Sequence, residues 1–252
     1  MKFSADKCIF LTYKCQVPPG SLCIGGSPID SQPFVRDLGL SCSCSFNFSE
    51  HADLQTAKAK KCLGLLFRSF QLRQSILYMY KVHARPLLEY CPLIFTSMRK
   101  SDRIIIECIQ RRFTKQLIGW SSNLNYRERC LSLKIEPLWL RRIKLNLIFL
   151  YKLLTKQSYS SSQLCFSPDT GYSLRNRQYT ITTPSARTVL RFKFFLFAYS
   201  RIWNKLPLHI RSSRSKYAFV HAIDKFLSVP TVLRLFNVHV TESQAYEIGL
   251  DF

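Results

Sequence analysis

The residues from Tyr80 to Gly119, YKVHARPLLEYCPLIFTSMRKSDRIIIECIQRRFTKQLIG, constrain the fold more than any other part of the chain. Their second half separates apolar from cationic side chains at helical spacing. At about 100° per residue from Arg103, the side chains Ile105, Ile106, Ile109, Phe113 and Leu117 share an arc of about 120°. Arg111, Arg112 and Lys115 share an arc of about 100° on the other side. Asp102 stands where an N-cap belongs. This pattern predicts a helix over 102–118, packed on one face and presenting guanidinium groups on the other.

The flanking sequence is helical too. His51 to Phe70 lacks proline and carries Ala57, Leu63, Leu65, Leu66 and Phe70, and Leu72 to Ala84 continues the pattern until Pro86. Tyr126 to Leu133 predicts a short helix. Leu138 to Leu154 (LWLRRIKLNLIFLYKLL) is apolar around most of its circumference and predicts a buried one. Residues 1–49 read differently. Lys7 to Lys14 and Phe34 to Leu40, the latter with a turn at Asp37 to Gly39, fit short strands, separated by the breakers Pro18, Pro19, Gly20, Gly25, Gly26 and Pro28. The fold class is therefore mainly α, with a small β-rich N-terminal part. The expected divisions are 1–49, a helical unit at 50–157, a basic aromatic extension at 158–227, and a tail at 228–252 without a pattern of its own. Tyr159 to Pro168 is Ser-rich and reads as a linker.

Charge narrows the function. Across 252 residues there are 37 Lys and Arg against 15 Asp and Glu, a net charge of +22. From Arg99 to Lys156 the count is 14 cations and 4 anions, and from Gly171 to Leu227 it is 11 and 1. Each block contributes +10. Self-repulsion on this scale opposes compaction unless a polyanion is bound. One charged helix face is usually just solvated. An excess of one sign through most of a chain that is 47% hydrophobic points instead to a folded protein with a nucleic-acid partner, and secondarily to an anionic membrane surface. Arg103, Arg111, Arg112, Lys115, Arg141, Arg142 and Lys144 are the candidate phosphate contacts.

Other chemistry finds little support. No signal peptide or membrane-length apolar run is evident, so an intracellular location, cytoplasmic or nuclear, is expected, with reduced cysteines. Cys42-x-Cys44 with His51 is a poor zinc pattern, and no metal ligands are expected. His51, His83, His209 and His221 are dispersed as surface or core residues. Gly25-Gly26 lacks the Lys-Ser/Thr of a phosphate loop. Glu107 and Glu128 lie among arginines, as in ordinary helix ion pairs. Between Arg191 and Trp203 two readings stand. The aromatics could stack on unpaired bases, or Phe192, Phe195, Tyr199 and Trp203 could form a core stripe; their spacing favours the stripe.

Eight short segments occur in an order that resembles one family. Asp6-Lys7-Cys8 is similar to a lysine–cysteine pair that follows a catalytic strand. Val35 to Leu40 (VRDLGL) resembles "vkDLGv", and His51 to Phe70 resembles the helix after it. Arg85 to Cys91 (RPLLEYC) resembles "RPxLEYxs". Ile106 to Lys115 resembles "iExvQrrftk". Tyr126 to Leu133 resembles "YxeRLxxLxl", Arg141-Arg142 the "RR" that follows it, and Trp203 to Pro207 (WNKLP) a late "WNxLP". Together they resemble the C-terminal part of the reverse transcriptase of non-LTR retrotransposons of the jockey, CR1 and RTE type, over roughly residues 6–227. The chain departs from that pattern at Ile94-Phe95-Thr96, where the family has a tryptophan near a proline.

The resemblance implies the end of a palm, a thumb and a C-terminal extension, with template–primer RNA and DNA as partners. The intact family enzyme would use magnesium held by an Asp-Asp segment. This chain has no Asp-Asp pair. A truncated RNA-directed DNA polymerase without catalysis, catalytic residues or cofactor of its own is therefore expected, and no small-molecule substrate. Lys7 resembles a pyrophosphate-protonating lysine, but without the metal carboxylates that role has nothing to act on, and the solvated strand residue is the preferred reading. Alternatives are a pseudogene product without a stable fold and, more weakly, a membrane-surface protein using Leu138 to Leu154.

Overall fold

The computed structural model describes residues 7–12, 22–45, 47–155, 179–183, 185–236 and 241–248. Described residues before 46 make three two-stranded pairs. β1 (Ile9–Phe10) and β4 (Asp30–Ser31) run parallel; β2 (Cys23–Ile24) and β3 (Ser27–Pro28) are antiparallel, as are β5 (Phe34–Asp37) and β6 (Leu40–Ser43). The strand expected over Lys7 to Lys14 shortens to β1; Tyr13 and Lys14 lie outside the described residues. Phe34 to Ser43 is a hairpin. Its turn residues Leu38 and Gly39 have φ of 45° and 90°, so both occupy the positive-φ region that a tight two-residue turn demands. Tyr90 donates its hydroxyl to the Leu38 carbonyl and fastens this turn to the helices.

The helices follow the sequence periodicity with three corrections. α1 (Ser49–Ser69) buries His51, Ala52, Gln55, Thr56, Ala59, Leu63 and Leu66, the inner positions of a two-helix seam. α2 (Arg73–Met79) does not stop before Pro86. It widens into a π turn at Tyr80–Ala84, where the Arg85 N–H reaches the Tyr80 carbonyl, and continues as α3 (Arg85–Leu88). Proline lacks an N–H, and its ring would crowd the carbonyl four residues back; a wider turn relieves both problems.

After a 3₁₀ turn at Pro92–Thr96 comes α4 (Lys100–Ile118), which begins before Asp102. Asp102 is thus not the N-cap. It lies buried in the first turn, where its carboxylate accepts from Ser49 Oγ at 2.8 Å and joins the starts of α4 and α1. α5 (Tyr126–Ser132) is closed by a capping box: Asn125 accepts from the Glu128 N–H at 2.9 Å, and Glu128 accepts from the Asn125 N–H at 2.8 Å. Glu128 is therefore a cap, not an ion-pair partner.

α6 (Leu138–Leu154) is buried along most of its length, as its composition predicts, with Leu138, Leu147 and Leu150 fully enclosed. Burying each such side chain contributes about 1.5–3 kcal/mol. Most of its apolar residues thus serve the core. α7 (Val189–Phe192), α8 (Phe195–Lys205), α9 (Leu208–Arg211) and α10 (Lys216–Phe226) follow. Phe195, Tyr199 and Trp203 form the expected core stripe, while Phe192 stays outside it.

The third correction concerns the tail, which supplies α11 (Val229–Phe236) and α12 (Glu242–Ile248). Val229, Val232, Ala245 and Tyr246 are buried, and Tyr246 meets Tyr126 edge-on at 6.0 Å. The tail thus packs on the core.

The architecture is mainly helical with small sheets. α1 packs on α4, α6 on α8 and α10, and α12 on α5. One cluster of buried apolar residues runs from Phe48 to Tyr246, with Tyr80 stacked on Phe113 at 3.9 Å and Tyr151 on Phe219 at 4.4 Å. Among the described residues no helix is long and apolar enough to cross a membrane.

Candidate nucleic-acid interface

α1 and α4 meet along a groove of about 300 Å³, lined by Lys60, Leu63, Gly64, Phe67, Ile109, Arg112, Phe113 and Gln116. The floor is apolar, with Phe67 and Phe113 centred 5.9 Å apart. Lys60 and Arg112 stand on opposite helices at its rim, and both are exposed. Lys58, Lys61 and Arg68 are exposed on the same helix as Lys60. Of the α1 cations only Arg68 lies in the last turn, at the negative end of the helix dipole.

The structure separates the seven candidate cations by environment. Arg112 is exposed at the groove. Arg111 is half-buried, donates to the Tyr246 carbonyl at 3.1 Å, and lies 5.4 Å from the Tyr126 ring centre. Lys115 is half-buried and donates to the Ser122 carbonyl. Arg103 is half-buried, and desolvation lowers its pKa.

The three α6 candidates turn inward. Arg141 grips Glu89 through two nitrogens, the longer contact at 3.3 Å. Lys144 is 5% exposed and pairs with Glu136 and, at 3.3 Å, with Asp224. Arg142 is 2% exposed, lies 3.3 Å over the Phe95 ring and donates to the Leu88 carbonyl at 2.7 Å. Burial pulls its pKa down to about 10. α4 therefore places one candidate fully at the surface, and α6 spends its three on interior contacts.

Lys58, Lys60 and Lys61 were absent from the sequence-derived set. Their signal was readable in QTAKAKKCLGLLF, where three lysines lie off the seam marked by Ala52, Ala59, Leu63 and Leu66.

Many residues that carry the family resemblance build the polar interior. Glu107 is 3% exposed and accepts from Tyr126 Oη at 2.6 Å and from the Leu138 N–H at 3.1 Å. It is not the surface ion pair expected. Desolvation raises its pKa, opposed by the Tyr126 hydrogen bond and by the charge of Arg142. Gln110 accepts from Tyr80 Oη at 2.6 Å, and its amide donates to Tyr126 Oη at 2.9 Å and to the Glu136 carbonyl at 2.8 Å.

Arg129 donates to Thr114 Oγ1 at 3.2 Å and to the Leu124 carbonyl at 2.6 Å. Trp203 Nε1 donates to the Tyr179 carbonyl at 2.8 Å. Asn204 bonds both the N–H and the carbonyl of Ile181, at 2.9 and 2.7 Å. These side chains position the helices, including the pair that forms the groove.

Among the described residues no three His, Cys, Asp or Glu side chains gather as a metal-ligand group. Cys42 and Cys44 are free thiols. Lys7 is exposed, as are His83, His209 and His221, while His51 is buried. Compared with protein-family models, curated proteins and solved structures, the chain matches none.

Proposed function

We propose that this chain is a thumb-like helical part of a non-LTR retrotransposon reverse transcriptase. It binds template–primer duplex non-specifically and, alone, carries no polymerase catalysis. The observation that supports this reading best is the α1–α4 groove. Lys60 and Arg112 line it from opposite helices above an apolar floor, and both are exposed. Paired helices with exposed cations along their junction suit a phosphate backbone, which fixes position without reading sequence. The net charge of +22 adds long-range attraction. The order of the family-like segments supplies the polymerase part of the proposal. The sequence holds no Asp-Asp pair, and so no step of nucleotide transfer is assigned to its residues.

The test is binding of the purified chain to a labelled RNA–DNA hybrid across a salt series. The log of affinity should fall linearly with log salt, by about 0.7–0.9 per phosphate contacted. The pair Lys60→Glu and Arg112→Glu should flatten that slope by roughly 1.5. Lys144→Met should change stability and leave the slope unaltered. A chain that binds no hybrid at low salt, or a slope indifferent to Lys60 and Arg112, would overturn the reading. Nucleotide incorporation on a primed RNA template would overturn its non-catalytic part. A melt without a cooperative transition would instead favour a product that has no stable fold.

A further inference from the structure

Two aromatic rings near the turn from α7 into α8 face solvent, although the surrounding segment supplies the core. Phe195, Phe197, Tyr199 and Trp203 are each less than 9% exposed, whereas Phe192 is 42% and Phe194 51% exposed. Single exposed apolar side chains are ordinary; here two rings stand two residues apart among cations. Their charged neighbours in sequence are all cations. Arg187 and Arg191 are exposed, and Lys193 is half-buried. From Gly171 to Ile223 the sequence has no Asp or Glu.

Phe192 is also held in place. The Arg201 guanidinium lies over its ring at 3.4 Å, while Arg201 Nε donates to the Phe197 carbonyl at 3.1 Å and Nη2 to the Phe192 carbonyl at 3.4 Å. The ring therefore has positive charge against one face and solvent on another side. Beside it Arg191 lies 5.1 Å over Phe197. A fixed ring with guanidinium groups around it is a platform on which a base can stack while its phosphates meet the arginines.

We propose that Phe192 and Phe194, with Arg187, Arg191 and Lys193, bind an unpaired stretch of nucleic acid by base stacking. Bases within a duplex are already stacked on one another and offer no free π face, so this surface selects single strands. It lies on different elements from the α1–α4 groove, and the proposal does not rest on the duplex reading. A membrane is the poorer fit. α7 has four residues, about one turn, and presents no long apolar face of the kind an interfacial helix needs.

The test compares fluorescence anisotropy of two labelled strands of about 20 nucleotides, one oligouridine and one abasic. Both carry the same phosphates, so any difference reports the bases. The wild-type chain should prefer the oligouridine by roughly fivefold or more. Phe192→Ala with Phe194→Ala should abolish that preference, and Phe192→Tyr with Phe194→Tyr should retain it. Lys60→Glu with Arg112→Glu should keep the preference even where hybrid binding is lost. Far-ultraviolet circular dichroism checks that each variant is folded, and the tyrosine pair tests the site if the alanine pair is not. Equal binding of both strands by the wild type overturns the proposal, as does an undiminished preference in the alanine pair. Binding to phosphatidylserine vesicles that depends on the two rings, with no preference between strands, would assign the surface to a membrane and also overturn it.

Discussion

Replacing Tyr126 with phenylalanine removes one oxygen from the centre of the helical unit and keeps the ring. That oxygen donates to Glu107 Oε1 at 2.6 Å and accepts from Gln110 Nε2 at 2.9 Å. Gln110 keeps its bond to the Glu136 carbonyl at 2.8 Å, so its loss is small, about 0.5–1 kcal/mol. Glu107 fares worse. It is 3% exposed and would keep only the Leu138 N–H, at 3.1 Å. Losing a hydrogen bond to a buried charged group costs about 1.5–3 kcal/mol. The sum is about 2–4 kcal/mol, or a fall in Tm of roughly 5–15 °C for a chain of this size.

The loss should depend on pH. Burial already raises the Glu107 pKa above 4.5, and removing the donor raises it further. Between 4.5 and the folded pKa the native state binds more protons than the unfolded chain, so stability falls as pH rises through that window. Tyr126→Phe should therefore cost more at pH 8 than at pH 5. On a Glu107→Gln background it should cost only a neutral hydrogen bond, about 0.5–1.5 kcal/mol. Urea denaturation of the four chains of this cycle at both pH values measures each quantity. A cost below about 0.5 kcal/mol at both pH values, or one that ignores pH and the Glu107→Gln background alike, would refute this account of the network.

His51 is 2% exposed, with no hydrogen-bond partner on either ring nitrogen, and desolvation followed by the charge of Lys58 lowers its pKa. The unfolded chain therefore takes up the proton first. Stability should be intact above the ordinary value of 6.5 and fall as pH drops through it, until the folded pKa is passed. Melting curves of His51→Leu should lack this step. Gly39 has a φ of 90°, and a β-carbon there would lie 3.3 Å from Tyr90 Oη. Gly39→Ala should destabilise the hairpin by about 1–2 kcal/mol, seen as faster proteolysis within residues 30–45 before global unfolding.

Much of the fold is legible in local pattern. The spacing of Ile106, Ile109, Phe113 and Leu117 predicts the buried face of α4, and Leu138 to Leu154 announces a buried helix. The Phe195, Tyr199 and Trp203 stripe and the turn at Leu38-Gly39 are equally local. These readings need only a helical or two-residue period, a property of neighbouring residues. The continuation of α2 through Pro86 escapes the same logic, because the π turn that admits the proline is not encoded by a period. The tail escapes it as well. Tyr246 is buried against elements far away in sequence, Tyr126 of α5 and Arg111 of α4 among them.

The cations divide in the same way. Strong basicity and the amphipathic character of α4 are written in the order of the residues. That order also sets the lysines of α1 off the apolar seam. Which of these charges water can reach depends on how the elements pack. Arg141 and Arg142 sit side by side in sequence and look equivalent. One meets Glu89, 52 residues away; the other is closed under Phe95 and bound to the Leu88 carbonyl, 54 residues away. A charge leaves solvent only where a partner offsets its desolvation. That partner is supplied by the packing of another element, which no local period encodes.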